Sequence, residues 1–230
     1  MPGFNTVTPT RVDLVSISFL RFVSPTRVNE IRFGYNRFDE SFSPQDNDFD
    51  PNSIGLNTGV TNSQDFGLPF IRIRNDPDFG SSLASLGSTL SVPRGRVDTN
   101  FQVIDNYSWK LTRHDLKFGY ELRTTQVDAF FDAGYRGRLD FGSLADFLAG
   151  SLSGGRSARG DSQRNTRQIS HGAYIQDNLR WSSSLSFNLG LRWDYFGVLS
   201  EKNDLLSNFD PQTGLVLVGT NGLDRLYNRD

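Results

Sequence analysis

Between Leu185 and Tyr195 every second residue is large and apolar. Leu185, Phe187, Leu189, Leu191, Trp193 and Tyr195 fall at one parity, and Ser186, Asn188, Gly190, Arg192 and Asp194 at the other. A β-strand sends alternate side chains to opposite faces, whereas a helix would scatter this pattern around its circumference. At about 3.3 Å per residue the run spans roughly 35 Å. Strands of soluble domains average about 5–6 residues, while a tilted membrane-crossing strand needs about 9–11.

Two further segments carry the same period. Leu116, Phe118, Tyr120 and Leu122 alternate with Lys117, Gly119, Glu121 and Arg123, and Ile31, Phe33 and Tyr35 alternate with Glu30, Arg32, Gly34 and Asn36. Less regular strands are predicted at about 12–23, 98–110 and 166–181. In the first, Val15, Ile17 and Phe19 oppose Ser16 and Ser18. In the second, Phe101, Val103, Tyr107 and Trp109 share a face that Asp105 interrupts. The third places Ala173 and Ile175 together. The composition agrees, because 19 Phe and 22 Gly in 230 residues suit pleated sheets and turns better than helices. The reading is all-β.

The spacing of the strands is uneven. Short turns at Ser24-Pro25-Thr26, Thr112-Arg113-His114-Asp115 and Ser182-Ser183-Ser184 pair the strands 1–2, 3–4 and 5–6. Long polar stretches, roughly 39–97, 128–165 and 197–230, separate the pairs, whereas loops beyond about 12–15 residues are rare in soluble domains. Short turns at one end and long loops at the other fit an antiparallel transmembrane β-barrel with periplasmic turns and extracellular loops. Aromatics gather where two interfacial girdles would lie. Tyr107, Trp109 and Trp181 precede the short turns; Phe38, Phe130, Phe131, Trp193, Tyr195 and Phe196 adjoin the long loops. Period-two alternation is also what a soluble β-sandwich shows, so a sandwich that binds carbohydrate or protein stands as the alternative. Six strands are fewer than the eight with which single-chain bacterial barrels begin. The chain is therefore read as part of a longer polypeptide, beginning in a loop and stopping in one at Tyr227-Asn228-Arg229-Asp230.

Other classes are excluded. The chain has no cysteine, which removes disulfide scaffolds, thiolate metal sites and a Cys nucleophile. A formal net charge of -2 gives no basic stripe for nucleic acid. No apolar run reaches the length of a transmembrane helix, and Met1–Asn5 does not open a signal peptide. Neither catalytic motifs nor phosphate loops occur, and no cofactor is expected.

Several stretches resemble the barrel of TonB-dependent outer-membrane receptors, specifically the Oar-like branch that carries a carboxypeptidase-regulatory-like domain. They are the segment from Ser24 to Arg37, Asp105-Asn106-Tyr107-Ser108-Trp109, His114-Asp115-Leu116-Lys117-Phe118-Gly119 and Asp146-Phe147-Leu148-Ala149-Gly150. Tyr174-Ile175-Gln176-Asp177-Asn178-Leu179-Arg180, Leu185 through Tyr195, and Asn208-Phe209-Asp210-Pro211-Gln212-Thr213-Gly214 complete the set. The resemblance implies that residues 1–230 are part of a barrel of roughly 22 strands, which in the intact protein is plugged by an N-terminal domain and energised by the TonB complex. It implies import of a scarce large solute (siderophore, glycan or peptide) through loop capture and plug displacement. A passive porin or adhesin on the same barrel is the other membrane alternative.

On this reading outer-membrane lipid is a partner, and Ile31, Phe33, Tyr35, Leu116, Phe118, Tyr120, Leu122, Leu185, Phe187, Leu189 and Leu191 face it. Glu30, Arg32, Asn36, Lys117, Glu121, Arg123, Asn188, Arg192 and Asp194 face the lumen, where ion pairs across strands are favoured over contact with a ligand. Tyr107, Trp109, Trp181, Trp193 and Tyr195 form the girdles. Gly34, Gly119 and Gly190 share the polar face and mark sheet bends or room for the plug. One short helix is predicted at Ser143–Leu148, capped by Ser143 with Asp146 at the reach-back position. The stretch from Gly150 to Arg164 reads as a mobile loop tip. Asp46, Asp48, Asp50 and Asn52 resemble the start of a calcium loop, but Pro51 and Asn57 occupy the positions that want Gly and Glu, which favours a solvated acidic loop over a bound cation. His114 and His171 stand without a ligand cluster and are assigned structural roles, and Arg159-Gly160-Asp161 is read as a chance tripeptide.

Overall fold

The computed structural model describes residues 3–74, 84–220 and 224–227; Asn228-Arg229-Asp230 lies outside them. The strands are β1 (Thr6–Val7), β2 (Thr10–Ser24), β3 (Arg27–Pro44), β4 (Phe70–Ile73), β5 (Ala84–Leu86), β6 (Arg94–Lys110) and β7 (His114–Phe131). They continue with β8 (Arg138–Phe141), β9 (Gly154–Arg156), β10 (Arg164–Arg180), β11 (Ser186–Phe196), β12 (Ser200–Glu201), β13 (Ser207–Asp210) and β14 (Gly214–Leu217). One α-helix, α1, spans Leu144–Leu148.

The chain divides into two compact units. The first comprises residues 1–10, 39–96 and 129–163, and the second 11–38, 97–128 and 164–230. The second unit is built on the long strands, ordered β2-β3-β6-β7-β10-β11 in the sheet, with neighbours following chain order. Antiparallel register is explicit for β10 and β11, where Ile175 faces Leu191 and Tyr174 faces Arg192. It is implied for the rest by contacts such as Arg180 N–H to Arg113 O and Lys110 N–H to Thr26 O. The long strands run past the bounds that the apolar period marks. Residues 39–44, for example, continue β3, because backbone pairing does not require the apolar period to persist. The second turn shrinks accordingly, since His114 and Asp115 are already in β7.

Directly paired residues share a face, so the register of β10 and β11 sorts side chains without ambiguity. His171, Ala173, Ile175, Asp177 and Leu179 lie with Tyr195, Trp193, Leu191, Leu189 and Phe187. Gly172, Tyr174, Gln176 and Asn178 lie with Asp194, Arg192, Gly190 and Asn188. Among the described residues nothing covers the apolar set. Leu191 is 73% exposed, Leu189 58% and Phe118 40%, and Ile31, Phe33, Tyr120, Leu185 and Phe187 are exposed as well. The edge strand β2 exposes apolar residues at both parities, Leu14 and Phe22 at one and Ile17 and Phe19 at the other. A sandwich would bury such a row against a second sheet about 10 Å away. The only buried hydrophobic residues among those described are Val60, Ile73, Val92, Phe141 and Val216, none of them on a long strand.

The first unit is a small sheet ordered β5-β4-β8-β9. Its β4–β8 pair is parallel, with Phe70 opposite Arg138 and Ile73 opposite Phe141, a departure from an all-antiparallel chain. Ile73 and Phe141 form its core, and the Phe147 ring of α1 meets Phe141 edge-on at 5.2 Å. Ser143 caps α1 by accepting from Asp146 N–H at 3.1 Å, while its hydroxyl donates to the Asp146 carboxylate at 2.8 Å. The stretch 150–164 is not a free tip. Gly154–Arg156 pairs with β8, and the Arg159 side chain donates to the carbonyls of Tyr135 and Thr58. Gly residues there permit close strand pairing as well as loops, since a Cβ at Gly155 would lie 2.7 Å from Arg138 O. In the second unit the stretch Asn208–Gly214 forms the β13–β14 hairpin, whose turn is held by Asp210 Oδ1 accepting from Gln212 and Thr213 N–H at 2.8 Å.

A charge on the uncovered apolar face is expected to be costly only if that face meets hydrocarbon. Leu189→Arg should lower folding stability in phospholipid vesicles by about 2–4 kcal/mol. Asn188→Arg, one residue away on the polar face, should change it by about 0.5 kcal/mol or less. Denaturant titration of the two variants checks the contrast.

Candidate functional site

The polar face of the long sheet brings together charged side chains from three strands and a glutamine from a fourth. On β3 the Arg32 guanidinium grips Glu30 in two bonds, at 2.7 and 2.8 Å. On β7 Arg123 donates to Glu121 at 2.8 Å, and on β11 Arg192 reaches Asp194 at 2.7 and 2.9 Å. Each pair lies two residues apart on one strand, so each strand largely neutralises its own charge. Glu121 then links strands: it accepts from Gln102 of β6 at 2.6 Å and stands 3.9 Å from Arg192. The expected pairing across strands is thus secondary to pairing along them, because an extended Arg readily spans the spacing between alternate residues. Asn188 accepts from Gln176 at 3.2 Å. The cavity among Glu121, Arg123, Gly172, Arg192 and Asp194 holds about 110 Å³, below the roughly 300 Å³ at which small-molecule pockets begin.

A tyrosine holds this face together, and sequence reasoning missed it. Tyr174 of β10 reaches across β7 and donates its hydroxyl to Asn106 Oδ1 of β6 at 2.9 Å. The ring passes over Gly119. A Cβ there would lie 2.6 Å from Tyr174 Cε1, 2.6 Å from Asn106 Oδ1 and 2.9 Å from Asp105 O. Gly119 therefore provides the slot that the ring occupies. At Gly34 and Gly190 the nearest atoms are 3.7 and 3.6 Å away, an ordinary contact distance. The signal was available as an aromatic residue at the polar parity of β10, once that strand's register is known.

The apolar face carries its polar atoms in pairs. Asn29 donates to Asp105, which is why an aspartate can interrupt the aromatic row of β6. His114 Nδ1 meets Asp177 Oδ2 at 2.6 Å, and His171 Nδ1 meets the Tyr120 hydroxyl at 2.6 Å. Neither histidine is alone. Tyr120 and Tyr195 both place their rings 6.1 Å from His171, and Tyr195 stacks on Trp193. Tyr107 stacks on Phe118 at 5.1 Å, the Arg27 guanidinium lies 4.6 Å over Trp109, and Trp181 is exposed.

The acidic loop residues diverge. Asp46 accepts from Arg136, Ser88 and Leu68 N–H, and Asp50 caps the 3-10 turn Pro51–Ile54 by accepting from Asn52 N–H. No group of three His, Cys, Asp or Glu side chains suited to a metal ion occurs among the described residues. Arg136 is buried and fills the space beside Gly67, whose φ of +119° excludes a side chain on conformational grounds as well. Near it two carboxyls meet. Asp132 accepts from Gln64 and Ser162, while Asp65 is buried with one oxygen unpartnered. Burial, and then the neighbouring Asp132 charge, push the Asp65 carboxyl up to about 6.

The model of a family described as an outer membrane beta barrel domain matches residues 1–230. The chain belongs to that family. Family membership supplies the solvent for the uncovered face: the chain resides in the outer membrane, and its sheet meets membrane lipid. Neither a curated protein nor a solved structure matches the chain.

Two outcomes follow from this geometry. Gly119→Ala should destabilise the sheet by about 1–3 kcal/mol, because strand backbone and the Tyr174 ring leave no room. Gly34→Ala and Gly190→Ala should be near neutral, and thermal unfolding in membranes ranks the three. Asp65 has a folded pKa above its ordinary 3.8, so its contribution is complete below that value and is lost as pH rises through about 6. Asp65→Asn, which keeps the neutral shape, should raise the melting temperature at pH 8 and leave it little changed at pH 4.

Proposed function

We propose that the chain is the barrel portion of a TonB-dependent transporter of the Oar-like branch, importing a scarce large solute such as a siderophore, glycan or peptide. The observation that carries this reading is the asymmetry of the sheet. One face is apolar and uncovered, and the other is a charged, self-neutralised surface that water or a second protein domain can contact. Strands β2 and β11 each have one long neighbour. In hydrocarbon an unpaired strand edge leaves N–H and C=O groups without partners, at several kcal/mol each, so further strands of the parent polypeptide would complete the barrel. A plug domain would then lie against Lys117, Asn188 and their neighbours, and the segments 45–93 and 132–163 would capture solute outside the cell. The chain's part is binding and passage, with no chemical step.

A photoreactive amino acid at Asn188 in the full polypeptide, in cells of the source organism, tests this. Ultraviolet light should join that site to a plug peptide of the same polypeptide, and the yield should fall when the TonB complex works and displaces the plug, and rise when that complex is disabled. Adducts confined to lipid, or a yield indifferent to TonB, would count for a passive barrel.

A further inference from the structure

The first unit contains a cavity of about 350 Å³. It is lined by Glu40 and Phe42 of β3, Arg94 and Arg96 of β6, and Phe130 and Phe131 of β7. Arg94 is the unusual member. Its guanidinium lies 4.1 Å over the Phe42 ring and 5.9 Å from the Phe131 ring, a flanked cation–π arrangement. Stacking satisfies the faces of the guanidinium and leaves the N–H groups at its edge unused. Among the described residues the Arg94 side chain makes no hydrogen bond and has no carboxylate at ion-pair distance. It is nonetheless half-buried. This contrasts with Arg32, Arg72, Arg123, Arg136, Arg138 and Arg192, each of which is matched to an acid.

We infer that this cavity is a binding site for a singly charged organic anion with an aromatic or apolar body, its carboxylate taken by Arg94 and its body by the phenylalanine rings. The chemistry follows from what is present. Five N–H donors in a fixed plane match the two oxygens of a carboxylate, and stacking holds that plane before the ligand arrives. The volume suits a small molecule or one end of a larger one. Glu40 limits the charge, since a multiply charged anion would bring negative groups against it. Gly95 contributes shape: a Cβ there would lie 2.7 Å from Phe130 Cε1, so only glycine lets that ring settle beside β6. The site does not depend on import. It goes beyond the transport reading by giving the first unit a ligand class of its own.

The test is ligand-observed fluorine NMR on the full polypeptide purified in detergent. Three probes of one shape are used: 4-fluorobenzoate, 4-fluorobenzyl alcohol and 4-fluorobenzylamine. The wild type should bind the benzoate saturably and more tightly than the alcohol, with the amine weakest. Arg94→Gln should weaken benzoate binding about tenfold or more, the scale of one charge-assisted hydrogen-bonded contact, and leave the alcohol unchanged. Absence of saturable benzoate binding, or equal affinity in Arg94→Gln, would overturn the inference. Should Arg94→Gln fail to assemble, the order of the three probes on the wild type decides: an amine bound as well as the benzoate would defeat it. Because uptake is not measured, failure here is distinct from failure of the transport reading.

Discussion

Water is the wrong neighbour for a surface that carries Phe33, Phe118, Leu189 and Leu191 in an unbroken row. Apolar area stays exposed in an aqueous protein only in modest patches, and several of the long strands here display it on one face with no second layer above it among the described residues. The rest follows from that constraint. Backbone groups in hydrocarbon must be paired, which demands strands long enough to cross and neighbours on both sides. Charged side chains must collect on the opposite face, where Glu30, Arg32, Glu121, Arg123, Arg192 and Asp194 settle their charges among themselves. Polar atoms left on the apolar face occur in partnered sets, as with His114 and Asp177.

Local devices then hold the strands in register. The Tyr174 ring crosses β7 through the gap at Gly119 and ties β10 to β6, a contact that bridges three strands with one hydrogen bond. A slip of one residue would move Tyr174 to the apolar face and close the slot. In the smaller unit the same economy uses buried ion pairs. Arg136 with Asp46, and Arg72 and Arg138 with Asp140, supplement a small apolar core of Ile73 and Phe141.

Much of this was legible in the residues. The alternation of Leu185–Tyr195 and Leu116–Arg123 marks strands and sorts their faces, and Ser143 with Asp146 marks the helix Leu144–Leu148. Other features were hidden because they depend on pairing between distant segments. No local pattern announces that Phe70–Ile73 runs parallel to Arg138–Phe141, that Gly154–Arg156 is a strand, or that Asp46 turns inward to Arg136 instead of outward to a cation. The stack of Arg94 on Phe42 joins residues far apart in the chain. Phe131, grouped at first with the interfacial aromatics, belongs to that stack. Periodicity reports what each strand needs on its two sides; it carries no information on which strand supplies it.

The central physical claim is that hydrocarbon covers the apolar face. Nitroxide labels placed singly at positions 118, 189, 117 and 188 of the membrane-assembled protein measure this directly by power-saturation spectroscopy. Labels at 118 and 189 should be relaxed strongly by oxygen and weakly by an aqueous nickel chelate, and labels at 117 and 188 should show the reverse preference. Equal nickel access at all four positions, or motional freezing at 118 and 189 with no oxygen preference, would contradict the account.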